Sequence, residues 1–258
     1  MKIAISGKGG VGKTTLAVFL AQVYKKRGLR VIAIDADPDA NLAQALGFDN
    51  PEQIVPIAEM KELIEQRTGA KTGGGFGGFF KLNPRVDDLP EQLAIEKDRI
   101  RLMVMGTVKT GGSGCVCPES VLLKNLIQHL FLERKDVVIM DMEAGLEHLG
   151  RATAFAVELM LVVVEPGQRS IETAKHIQKL AGEIGIKKVA VVGCKFRSEE
   201  EAELIKKSLT PLPFLGYLPF EPKIIEADLS GKPPFELAPH LLGRAEEIVD
   251  KIALHIKN

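Results

Sequence analysis

Gly7-Lys8-Gly9-Gly10-Val11-Gly12-Lys13-Thr14-Thr15 is the stretch on which the fold turns. It follows an apolar run, Lys2–Ser6, and opens an amphipathic segment with Leu16, Phe19, Leu20 and Val23 on one stripe. A glycine-rich loop ending in Gly-Lys-Thr, set between a strand and a helix, is a phosphate cradle. Its glycines let backbone N–H groups turn inward, and the helix N-terminus adds partial positive charge. Lys13 is expected along the β and γ phosphates and Thr14 on Mg²⁺, with Gly7, Gly9, Gly10, Val11, Gly12 and Thr15 completing the cradle. Lys25, Lys26 and Arg27 near the end of the segment, and Gly28 after it, mark the helix stop.

Further along the chain, Arg30–Asp35, Arg101–Met105, Asp136–Met142, Leu159–Glu165, Lys188–Val192 and Phe214–Tyr217 also read as strands, alternating with helix-length amphipathic segments. Their nearly continuous apolar character predicts a mostly parallel central sheet covered by helices on both faces. One α/β domain over residues 1–258 is expected, with a glycine-rich flexible insertion at about 69–97. There Thr72-Gly-Gly-Gly-Phe-Gly-Gly-Phe-Phe80 is a mobile surface segment or one that orders on binding, with Phe76, Phe79 and Phe80 as contacts.

The 34 basic and 34 acidic side chains cancel, so no global field draws the chain toward nucleic acid or an anionic membrane. A strand starting at Lys2 leaves no room for a signal peptide, and the apolar run Leu159–Val164 is far too short to span a bilayer. A cytoplasmic protein without nucleic-acid or membrane partners is the expectation.

Two further stretches carry chemistry. Val137-Val-Ile-Met-Asp141 is a buried strand that delivers a carboxylate to the metal edge of the site, and Gly145 beyond it permits backbone rearrangement. Glu143 stands where a small residue or proline is expected. Cys115-Val116-Cys117 lies between Gly111-Gly-Ser-Gly and Pro118, which can start a helix. In an extended segment both thiols face one side, either as small apolar groups at a turn or as half of a four-coordinate metal site whose other half comes from a second chain. A tetrahedral site suits Zn²⁺ and a planar one Ni²⁺.

Lys8 makes the loop resemble the deviant Walker A motif of the superfamily containing nitrogenase iron protein, MinD and ParA. The resemblance implies an ATPase that dimerises on ATP, with Lys8 reaching the neighbouring subunit's phosphates. It also implies that Asp37, in Asp35-Ala-Asp37-Pro38-Asp39-Ala40-Asn41, orients the attacking water while Asp35 supports the Mg²⁺ shell. Many relatives read adenine with Asn followed by a basic residue. Here Cys194-Lys195 occupies that stretch, leaving Lys195 and the loop at Pro219 and Phe220 to cover the base. With the cysteine pair, Asp141-Met-Glu-Ala-Gly-Leu-Glu-His148-Leu149 and Ile186-Lys-Lys-Val189, the chain resembles the CooC-type carbon monoxide dehydrogenase accessory ATPases. That resemblance implies nickel delivery to carbon monoxide dehydrogenase or acetyl-CoA synthase. A MinD- or ParA-like positioning ATPase and an iron–sulfur reductase remain the alternatives.

Overall fold

The computed structural model describes residues 1–70, 79–106, 117–132, 134–143, 151–154 and 156–257. Among these residues eight strands form one sheet: β1 (Lys2–Gly7), β2 (Val31–Ala36), β3 (Ile95–Lys97), β4 (Ile100–Val104), β5 (Val137–Met142), β6 (Leu159–Val164), β7 (Val189–Phe196) and β8 (Phe214–Pro219). Their order is β3-β4-β2-β5-β1-β6-β7-β8, parallel throughout except for β3 against β4. The seven long strands are those expected. Short, mostly exposed β3 has no apolar period to announce it.

The helices are α1 (Lys13–Lys26), α2 (Leu42–Leu46), α3 (Lys61–Thr68), α4 (Leu89–Leu93), α5 (Pro118–Leu132), α6 (Arg151–Ala154), α7 (Gln168–Ile184), α8 (Glu199–Ser208), α9 (Pro222–Ser230), α10 (Pro234–Leu237) and α11 (Leu241–Lys257). Successive strand residues point to opposite faces and so feed two cores. Ile3 and Ile5 pack with Leu16, Phe19 and Leu20 of α1 and Ile248 and Ile252 of α11. Ala4 faces the other layer, with Leu122 and Leu126 of α5, Ala174 and Ile177 of α7 and Ile205 of α8. The α/β sandwich expected from the continuous apolar strands is therefore present.

The second half of the stretch expected as a flexible insertion at 69–97 holds regular structure, namely α4 and β3. Leu89 and Val86 bury it in the core, and ion pairs tie its polar side. Arg67 donates two hydrogen bonds to the Asp88 carboxylate, at 2.8 and 2.7 Å, and Glu91 bridges Arg101 and Arg134 at 2.8 Å each. Phe79 is fully exposed and Phe80 half-buried; Phe76 and the five glycines lie outside the described residues.

Candidate nucleotide site

Parallel register sets the carboxyl edge. Asp35 of β2 lies beside Asp141 of β5, Ile5 of β1 pairs with that same Asp141, and Gly7 pairs with Val163 of β6. The loop after β1 therefore opens at the carboxyl edge between β5, which carries Asp141, and β6, the usual place for a ligand in an open α/β sheet. A Cβ on Gly7 would stand 2.6 Å from the Val163 carbonyl oxygen, so only glycine lets β1 leave the sheet here.

A cavity of about 540 Å³ is lined by Gly9, Gly10, Gly12, Lys13, Thr14 and Thr15 on one side and Asp37, Asp39 and Asn41 on another. Val11 is fully buried beneath the loop. Lys13, also buried, lies 3.6 Å from an Asp37 oxygen, so a carboxylate holds the ammonium where phosphate is expected. The Thr14 hydroxyl donates to Asp141 Oδ2 at 2.6 Å. The other Asp141 oxygen, Oδ1, is buried without a hydrogen-bond partner among the described residues. An orphaned carboxylate oxygen beside a threonine hydroxyl fits a Mg²⁺ that also draws on phosphate oxygens and water. Asp35 is buried behind them and accepts from the backbone N–H groups of Asp37, at 3.2 Å, and Leu42, at 2.9 Å. It thus shapes the loop from Asp37 to Asn41 from beneath. Glu143 is exposed, lines the cavity and accepts through its carbonyl from Ser6 Oγ at 2.8 Å.

Burial pushes the Asp35 carboxyl up to about 6, against the backbone hydrogen bonds that lower it. Burial likewise pushes Asp141 up to about 7, opposed by the Thr14 hydroxyl and assisted by the nearby Asp35 charge. Between roughly pH 4 and 7 the folded chain then holds protons that the unfolded chain has released, so stability of the nucleotide-free protein falls as pH rises through that window. Mg²⁺ favours the ionised carboxylates. Titration calorimetry at pH 6 in buffers of different ionisation enthalpy should detect proton release on Mg²⁺·nucleotide binding, diminishing by pH 8.

Gly12 caps α1 with φ +102°, and a Cβ there would meet the Cys194 Cβ at 3.2 Å. Gly12→Ala is expected to cost about 1–3 kcal/mol, from a strained left-handed backbone and crowding. Gly9→Ala, whose Cβ meets nothing within 4 Å, should unfold at the wild-type temperature. Thermal unfolding without nucleotide separates the two.

Other expected residues fall differently. Cys194 is buried against Gly12, and burial raises its thiol to about 12, so it packs under the loop as a neutral apolar group. Lys195 lines the cavity, and its ammonium donates to the Gly10 carbonyl. Pro219 and Phe220 are not among the cavity's lining residues, and Arg197 sits over the Phe220 ring. Ile224, Ile225, Ala227 and Asp228 of α9 line that end instead, opposite Gln44 of α2. The sequence signalled these only as an amphipathic helix after a proline. Lys8 ion-pairs within its own chain, with Glu165 at 3.6 Å. Cys117 is half-buried just before α5, while Cys115, Gly145 and His148 lie outside the described residues. Among the described residues no group of three or more His, Cys, Asp or Glu is placed to hold a metal ion, and no helix is long and apolar enough to cross a membrane.

Residues 2–235 match the CobQ/CobB/MinD/ParA nucleotide-binding domain family. An uncharacterized ATP-binding protein of Methanocaldococcus jannaschii is 48% identical over 236 residues, 90% of each chain. The carbon monoxide dehydrogenase accessory protein CooC of Rhodospirillum rubrum is 44% identical over 251 residues, 96% of this chain and 95% of that one. Among solved structures, the MinD cell division protein of Aquifex aeolicus superposes with a TM-score of 0.69 at 20% identity, covering 98% and 97% of the two chains. That likeness speaks to fold alone.

Proposed function

This chain belongs to the CobQ/CobB/MinD/ParA nucleotide-binding family, and from that premise we propose that it is a cytoplasmic ATP-dependent metallochaperone assisting nickel insertion into carbon monoxide dehydrogenase or the related acetyl-CoA synthase. The observation that carries this reading is its 44% identity to CooC over 96% of the chain, a span that takes in Cys115 and Cys117. In the proposed cycle, Lys13 and the loop N–H groups hold the polyphosphate, and Thr14 and Asp141 hold Mg²⁺, with Asp35 behind them. Bound there, Mg²⁺ would supply charge neutralisation for the phosphates. Asp37 leaves Lys13 once phosphate replaces it and turns to the attacking water. Lys8 of one protomer reaches the phosphates of the other, placing positive charge where negative charge develops. Nucleotide-driven closure of this homodimer brings the two Cys115/Cys117 pairs to a common point at the twofold axis.

The cargo, Ni²⁺, with Zn²⁺ as competitor, then has four thiolates from two chains. One metal per dimer is the expected stoichiometry when reduced protein is dialysed with ATP and its metal content measured. Cys115→Ser/Cys117→Ser protein should retain nucleotide binding and lose the metal. Equal metal content in the double variant places the ligands elsewhere and removes the basis for the nickel reading.

A further inference from the structure

Glu165 follows the six apolar residues of β6, at the carboxyl edge between the loop after β1 and the end of β7. Its Oε1 lies 3.6 Å from the Lys8 ammonium and its Oε2 3.7 Å from that of Lys195. One carboxylate thus serves two cations, from elements far apart in sequence. Its backbone is held in turn, because the Glu165 N–H donates to the hydroxyl of buried Ser170 in the first turn of α7, at 3.1 Å. Lys195 adopts φ +63°, an unusual conformation for a non-glycine residue, where the β7–β8 register is irregular. From there its ammonium reaches the Gly10 carbonyl of the phosphate loop.

We propose that Glu165 is the positioning residue of this site, holding Lys8 and Lys195 back over their own protomer until the nucleotide's phosphates replace its carboxylate as their counter-ion. The inference rests on the nucleotide-site reading above. Its reasoning is one of charge. Two ammonium groups share a single negative charge, so each is under-compensated, and a polyphosphate carrying several charges is the better partner for both. Side-chain exposures of 41% for Lys8, 47% for Lys195 and 27% for Glu165 make these pairs weak and readily exchanged. A weak hold suits a switch, because the incoming anion has little to displace. While the hold lasts, Lys8 is turned to its own chain and is not offered to a partner, so the contact opposes dimerisation without nucleotide.

The test is ADP binding by titration calorimetry to dilute, monomeric protein, with Lys8 acting only in cis. Glu165→Gln keeps the shape and removes the charge. Affinity is expected to rise about threefold or more in the wild-type background, on the scale of exposed ion pairs. It should change by less than about half as much in a Lys8→Ala/Lys195→Ala background, where no lysine remains to be released. An equal gain in both backgrounds means that Glu165 acts only by repelling phosphate and overturns the proposal, as does an unchanged or weaker affinity. Absence of ADP binding by the unmodified protein instead sinks the nucleotide-site reading. Should Glu165→Gln fail to fold, Glu165→Asp takes its place. Its shorter side chain cannot span both ammonium groups, and the same dependence on the two lysines is expected.

Discussion

Asp37→Asn should bind Mg²⁺·ATP at least as tightly as the unmodified protein and hydrolyse it about 100-fold or more slowly, the scale of a positioned proton acceptor. The Asp37 carboxylate pairs with Lys13 at 3.6 Å and accepts from the Asp39 N–H at 3.1 Å, and both Asp37 and Asp39 line the cavity. Asparagine keeps the shape and the Asp39 contact but loses the charge that competes for Lys13. Binding is therefore spared or improved while water is no longer oriented by an anion. Single-turnover hydrolysis beside equilibrium ATP binding separates the two effects. Hydrolysis at the wild-type rate removes Asp37 from the mechanism.

Lys13→Ala is expected to lose about 100-fold or more in Mg²⁺·ATP affinity, the conversion of about 3 kcal/mol for truncating one member of a buried charge pair. Two causes act together. The buried ammonium that faces the cavity disappears, and the charges of Asp37 and of the buried Asp35 and Asp141 behind it then act on the incoming phosphate with no buried lysine among them. Measured with ATP in the absence of Mg²⁺, which would otherwise require these carboxylates ionised, lowering the pH toward 6 should recover part of the lost affinity, because protonating Asp141 and Asp35 relieves that repulsion. Affinity measured at pH 8 and pH 6 checks this. A loss that is the same at both values attributes the defect to the missing ammonium alone.

These two positions show what kind of site this is. Positive charge from three lysines converges on one loop, and each lysine is paired with a carboxylate of the same chain. The expected phosphate thus enters a set of interactions that already exists and exchanges partners within it.

The P-loop, its strand and helix, Asp35, Asp37, Asp141 and seven of the eight strands could all be read from the sequence, because the signals are local. Glycines at fixed spacing, a cation followed by a hydroxyl, and an apolar run ending in a carboxylate each sit within a few consecutive residues. The CooC-type pattern was likewise written in contiguous motifs. Three things depended on tertiary structure. Glu165 reads alone as the polar end of a strand, and only the order β1-β6-β7 sets it between Lys8 and Lys195. Cys194 reads only as the residue standing where many relatives carry the base-reading Asn, and it is packing against Gly12 that makes it part of the core. α9, and not Pro219 or Phe220, lines the far end of the cavity, because the place of α9 is set by its packing on α10 and that of α2 by its packing on α1. Partners brought together over more than a hundred residues leave no periodicity in the chain, and a charge pair has no pattern until both of its members have been placed.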